Sequence, residues 1–373
     1  MKTISLFFYS FFFLTINVFA QANTEKSFLE NAQTAEGKSE YVEAISWYKK
    51  ATEINPKNIK TYEALVWCQN EEKLYKEATQ TAEKGIKIQS TEKLFTEYGY
   101  ALYMQNNFTK AIEKYKQAIQ LNANNTDALM GLADSYIELK DYTNAEIYYN
   151  KYLVNGKNSK KAYYNLGYIM NESKRYQKAV EYESLAINED DKYANAYAEL
   201  AFAYNNLNQL PLAVENYLQA YNLNPKNFNY LTNIADIYYD MKEDDKALDY
   251  YKMCLAVNNN DFVSNFRVGW ILNEKEKYDD AKPYLNKAVE LDPKSPDAWI
   301  ELGWIEYVKG NNSAAENAFK KAIQYNPKSE LGKYYLGLAY VEQGKKNEAT
   351  KLQEELNAMN SQYAIKLKEK LQK

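Results

Sequence analysis

Apolar and small residues recur along this chain as paired stripes at helical spacing. In the stretch from 296 to 329, Trp299, Leu302, Gly303 and the Glu306-Tyr307 pair fall on one helical face. Ala315, Phe319 and Ala322 follow at i, i+4 and i+7 on a second. "AKPYLNKAVELDPKSPDAWIELGWIEYVKGN" (281–311) therefore reads as the end of one helix, a Pro-marked turn and the start of another. Close variants begin at Tyr41 and Leu210. Aligning Ala44, Ala78, Ala111, Ala145, Ala179, Ala213, Ala247, Ala281, Ala315 and Ala349 gives eight intervals of 34 residues and one of 33. With this Ala at position 20, ten two-helix units begin at Glu25, Ile59, Glu92, Thr126, Lys160, Ala194, Phe228, Phe262, Pro296 and Glu330, and the tenth closes at Tyr363.

Small residues mark where helices come close. Position 8 is Gly or Ala in nine of ten units, with Val66 the exception. It is expected to face the Ala at position 20 and let the two helices of a unit approach. Pro56, Pro225, Pro293 and Pro327 follow second helices and stop them. Ser295-Pro296 reads as a cap and a first-turn proline, and Pro211 and Pro283 are expected near the starts of second helices. Two places depart from the pattern. The second unit carries Gly85 and Ser90 and loses one residue of register between Ala78 and Gly99, and the fifth has Glu183 where an aromatic is usual.

"AWIELGW" (298–304) and "AENAFKKAIQYNP" (315–327) resemble the tetratricopeptide repeat family, whose pattern is W-x-x-L-G, Y, A, F/Y, A, P over 34 residues. The resemblance spans residues 21–363. It implies an all-α fold: a right-handed α-solenoid of about ten stacked helix-turn-helix units, since one hairpin cannot bury its apolar face alone. The Lys-rich segment 364–373 is expected to cap the last unit with a polar outer face.

The resemblance also implies a concave groove lined by the first helix of each unit. Position 9 is aromatic in six of ten units: Trp67, Tyr100, Tyr168, Phe202, Trp270 and Trp304. Tyr164 and Phe266 at position 5, with Tyr103, Tyr239 and Tyr307 at position 12, extend the set. Position 13 is acidic in six units, Glu274 among them. An aromatic floor with an acidic margin suits a protein-binding surface, where large rigid rings carry most of the affinity. The opposing expectation is that these rings pack between adjacent first helices and expose little. Trp270 and Trp304 are expected on one continuous surface in the C-terminal half, as the main site for an extended segment with apolar and basic side chains. The family's clamp for chaperone tails is not found, because position 5 is never Lys and position 9 never Asn.

Composition narrows the chemistry. The chain has 373 residues, a formal charge of -4, 37 Tyr and no His. The charge argues against a nucleic-acid partner. The missing His removes Ser-His-Asp and Cys-His catalysis and His-containing zinc sites. Cys68 and Cys254 are expected as buried thiols. "NEDD" (188–191) and "NNND" (258–261) lack the central Gly and alternating ligands of a calcium loop, and no Gly-rich phosphate loop occurs. No catalytic residue, metal site or cofactor is expected. Met1-Lys2, an apolar run from Ile4 to Phe19, and Val18-Phe19-Ala20 read as a signal peptide (1–20) cleaved before Gln21. No other long apolar run occurs, so the mature chain should carry no integral membrane segment. The expectation is an exported, non-enzymatic scaffold, periplasmic or secreted, binding an envelope or secreted protein. The alternative is a carbohydrate or cell-wall ligand module on the same rings.

Overall fold

The computed structural model describes residues 21–155 and 159–372. The expected leader, Met1–Ala20, lies outside the described residues. Those residues form helices and short turns with no strand among them. The chain divides into two compact units, Met1–Asp191 and Lys192–Lys373.

The first unit holds α1 (residues 21–37), α2 (Tyr41–Ile54), α3 (Ile59–Glu71), α4 (Tyr75–Ile88), α5 (Glu92–Tyr103), α6 (Phe108–Leu121), α7 (Thr126–Glu138), α8 (Tyr142–Asn155), α9 (Lys160–Glu172) and α10 (Tyr176–Glu189). The second holds α11 (Ala194–Asn206), α12 (Leu210–Leu223), α13 (Asn229–Asp240), α14 (Asp244–Val257), α15 (Phe262–Glu274), α16 (Tyr278–Leu291), α17 (Pro296–Val308), α18 (Asn312–Tyr325), α19 (Glu330–Glu342), α20 (Lys346–Ala358) and α21 (Gln362–Leu371). Within each unit every helix packs on the next. The first helices also touch one another, α3 on α5 on α7 in the first unit and α15 on α17 on α19 in the second, which makes an inner row of three helices in each. This is the stacked-hairpin packing of a solenoid, in which each hairpin buries its apolar face on its neighbours.

The turns explain the fixed period. At position 15 of every hairpin the backbone turns left-handed, with φ between 56° and 75°. The next residue's N–H then reaches back to the carbonyl five residues earlier, as in Leu74 to Gln69 and Lys277 to Leu272, both 2.8 Å. This closes the first helix with a Schellman bond. Only Gly310 and Gly344 are glycines there; Lys73, Lys140, Lys174, Lys242, Ser39, Asn106, Asn208 and Glu276 adopt the strained region instead. After the second helix, Asn or Asp at position 31 accepts from the amide two residues on, as Asn122 from Asn124 and Asp292 from Lys294. Asn125, Ser159, Asp261, Ser295 and Ser329 then cap the following first helix.

Three expectations change. A side chain at position 8 would meet position 24, not the Ala at position 20. A Cβ on Gly303 would lie 2.6 Å from Phe319 Cε1, and one on Gly99 would lie 2.7 Å from Tyr115 Cδ1. The ring, being longer than the Ala methyl, reaches across the crossing first. Pro283 is not at a helix start but sixth in α16, an exposed position where it removes the amide that would bond Asp279. The one-residue slip falls in the turn 89–91, so α4 keeps the 14 residues of most second helices. Gly85 is buried there, and a Cβ on it would meet Leu94 Cδ2 at 2.7 Å.

The C-terminal helix starts at Gln362, behind the Ser361 cap, two residues before the expected boundary. Ala364 and Leu367 join the core of Phe319, Leu336, Ala349 and Leu356, while Lys366, Lys368 and Lys370 point to solvent. Leu367 lies against Gly337 and fills the gap that position 24 fills in other hairpins. Cys68 and Cys254 are free and buried.

Candidate functional site

Because α3, α5 and α7 lie side by side, side chains from all three meet at one hollow in the first unit. It has a volume of about 520 Å3 and is walled by Trp67 and Glu71 of α3, Glu97, Tyr100 and Tyr103 of α5, and Asp127 and Asp134 of α7. The rings are neither free nor buried. Trp67 meets Tyr41 edge-on at 5.4 Å, and Tyr100 meets Tyr75 likewise at 6.3 Å while staying 40% exposed. Asp134 is fully engaged: the Tyr149 hydroxyl donates to it, and Lys161 Nζ donates at 2.7 Å. The Tyr103 hydroxyl donates to Glu138 at 3.3 Å, tying one hairpin to the acidic margin of the next.

The second unit has its own hollow, of about 680 Å3. Phe266, Arg267, Trp270 and Glu274 of α15, Asp297 and Glu301 of α17, and Tyr335 of α19 line it. Phe266 stacks on Trp270 at 6.1 Å, and Tyr239 meets the indole at 5.2 Å. The Arg267 guanidinium lies 5.2 Å from the centres of both the Tyr239 and Trp270 rings, a cation–π arrangement.

Beside each hollow an asparagine positions a half-buried carboxylate. Asn70 Nδ2 donates to Glu97 Oε2 at 2.8 Å and to the Glu97 carbonyl at 3.0 Å. Asn273 Nδ2 donates to Glu301 Oε2 at 2.7 Å and to its carbonyl at 3.3 Å. Burial nevertheless raises both carboxyls. Glu301 is pushed up to about 7, the Asn273 bond opposing and the charges of Glu274 and Asp297 adding to the rise. Glu97 is raised for the same first reason.

A carboxyl raised in the fold keeps its proton more readily folded than unfolded. Native stability should therefore fall as pH climbs from the ordinary carboxylate range through about 7. Glu301→Gln removes that charge. The variant should match the wild type at pH 4 and exceed it by ~1–3 kcal/mol at pH 8. Urea unfolding at the two pH values checks this; a variant less stable at pH 8 would show that the charged form is welcome in the fold.

Of the residues expected in the groove, Trp67, Tyr100 and Tyr103 meet in the first hollow, and Phe266, Trp270 and Glu274 in the second. Tyr239 stands behind Trp270. Trp304 and Tyr307 do not line the hollow: Trp304 stacks on Tyr307 at 5.6 Å and on Tyr335 at 4.8 Å, so it supports a lining ring. Tyr164 and Tyr168 are half-buried on α9, where Tyr168 meets Tyr142 edge-on, and Phe202 is 40% exposed on α11. All six acidic residues at position 13 (Glu71, Glu138, Glu172, Asp240, Glu274, Glu342) are exposed. The sequence reading missed Arg267, Glu97, Glu301 and their asparagines. A signal was available: "WCQNE" at 67–71 and "WILNE" at 270–274 share Trp, Asn and Glu, "YIMNE" at 168–172 keeps the last two, and Glu stands at 97, 199 and 301.

Models described as tetratricopeptide repeat match residues 98–160 and 306–363, 272–317, and 194–227 with 228–261, together more than half of the chain. Among solved structures, the chain is similar to the C-terminal part of a TPR repeat-containing protein from Cytophaga hutchinsonii. The identity is 19% and the TM-score 0.58, over 65% of this chain and 99% of that one. A MamA crystal structure aligns at 25% identity and a TM-score of 0.42, over 43% of this chain and 94% of that one. No curated protein matches the sequence.

Proposed function

This chain belongs to the tetratricopeptide repeat family, and from that premise we propose that it is a non-enzymatic scaffold holding an extended segment of a partner protein on its aromatic, acid-edged inner faces. The observation that carries the reading is the second hollow, where Phe266, Trp270 and Tyr335 stand beside Glu274, Asp297 and Glu301. Rings that are half-exposed yet braced by other rings give large contact area at little entropic cost on binding. The near-parallel faces of Phe262, Phe266 and Trp270, tilted by 3° and 20° in succession, would also stack sugar rings. The carboxylates around them favour a peptide bearing apolar and basic side chains, so the peptide reading leads.

The partner belongs, in this reading, to the cell envelope or the secreted proteins, because Val18-Phe19-Ala20 marks an export leader. Protein isolated from its native host should begin at Gln21, and terminal sequencing that returns Met1 would end the export reading. Affinity capture from the envelope fraction, then competition of the captured partner with peptides and with glycans, tests the scaffold reading. Displacement by glycans alone would replace it with the carbohydrate reading.

A further inference from the structure

Resting on that groove reading, we propose that the chain carries one binding station for a cationic side chain in each of its two compact units, so that each unit by itself engages a lysine- or arginine-bearing segment. The observation is the recurrence of one constellation. An indole at position 9 (Trp67, Trp270) and a carboxylate at position 13 (Glu71, Glu274) wall each hollow with a second carboxylate from the next hairpin (Glu97, Glu301). In each, an asparagine at position 12 holds that second carboxylate through both its side chain and its backbone carbonyl. In each, the asparagine is nearly fully buried and its Oδ1 has no donor. Stacked repeats diverge freely at surface positions. The same four groups in the same contacts, in two hollows six repeats apart, mark a shared task rather than packing.

Charge identifies the occupant. Among the described residues, neither station's two glutamates form an ion pair, whereas Glu146 pairs with Arg175 at 2.6 Å and Glu316 with Lys345 at 2.6 Å. An indole face beside a carboxylate held in a poorly solvated hollow attracts an ammonium or guanidinium by cation–π and charge-assisted hydrogen bonding. The two stations are not equal. Arg267 lies over the indole in the second, and Ala64 takes its position in the first. The first hollow's own cation, Lys161, is paired with Asp134 and leaves the indole uncovered; the second must accommodate or displace a cation that lies on its indole, and is the weaker.

Calorimetric titration of the full chain with a blocked pentapeptide carrying three lysines tests this, with its lysine-to-glutamine analogue as control. Glu97→Gln and Glu301→Gln should each remove one binding equivalent or weaken it about tenfold, with the larger loss of affinity in Glu97→Gln. The double variant should bind two fewer equivalents than the wild type, and added salt should weaken all binding. Thermal melts by circular dichroism confirm that the variants fold. Equal binding of the glutamine analogue would overturn the proposal, as would a stoichiometry unmoved by either substitution. Equal competition by a free polyamine would overturn the peptide as occupant. The two readings fail separately. A partner segment that loses affinity with Trp270→Ala while the lysine peptide does not bind leaves the groove reading standing and removes the stations. A partner indifferent to both Trp67→Ala and Trp270→Ala removes both.

Discussion

Trp270→Ala is expected to weaken binding of the partner segment by more than ~2 kcal/mol, roughly thirtyfold, while leaving helical content unchanged. The indole is half-buried, not part of the core, and it touches Phe266, Tyr239 and the Arg267 guanidinium at the floor of the second hollow. Truncation removes an anchor and releases Arg267 from its ring, so both contact area and preorganisation are lost. Trp304→Ala is the informative comparison. Its ring lies behind the hollow against Tyr307 and Tyr335, so it should act only by loosening Tyr335, with a smaller effect. Glu274→Gln, at an exposed rim position, should act weakly and mainly at low salt. Titration of the captured partner against the three variants decides. Unchanged affinity for Trp270→Ala would move the site to the first unit, around Trp67 and Tyr100.

Gly303→Leu should destabilise its hairpin by ~1–3 kcal/mol, because a branched side chain would be driven into a fully buried ring. Even a Cβ there lies 2.6 Å from Phe319 Cε1, and Phe319 has no exposed surface through which to retreat. Gly303→Ala should cost far less. Ala133, Ala201 and Ala235 occupy the same position in hairpins whose position 24 is Tyr149, Tyr217 and Tyr251, so one methyl can be housed by a small shift. Since each hairpin of a solenoid rests on its neighbours, the damage should stay local. Hydrogen exchange should quicken in α15 to α19 and little elsewhere; uniform loss of protection across both units would contradict the additive picture.

Part of the candidate site was legible because the family's spacing carries side-chain direction. Positions 9 and 13 sit one helical turn apart on the inner face, so rings at 67, 100 and 270 and the carboxylate at 274 could be placed without coordinates. The carboxylates at 97 and 301 could not. Their partners, Asn70 and Asn273, lie 27 and 28 residues away in the chain. The shared W-x-x-N-E spelling at 67–71 and 270–274 hints at a common feature, but Asn and Glu are so common on these helices that only the packing shows which two meet. The same holds for Arg267, an ordinary helical residue until two rings close around it.

What the sequence determined by itself was the unit and its count: a 34-residue period, two apolar stripes per period, Pro and Ser at the joints, and small residues at the crossings. These are local matters of helix periodicity, capping and volume. The tertiary structure alone decided which partner each small residue faces, since the Phe319 ring outreaches the Ala315 methyl across the crossing. It alone showed that Lys, Asn, Ser and Glu are held left-handed in eight of ten turns, where stacking on both sides outweighs a strain that the sequence does not reveal. And it alone gathered the carboxylates and indoles into two hollows, with the asparagines behind them, because the path from one first helix to the next runs through space, not along the chain.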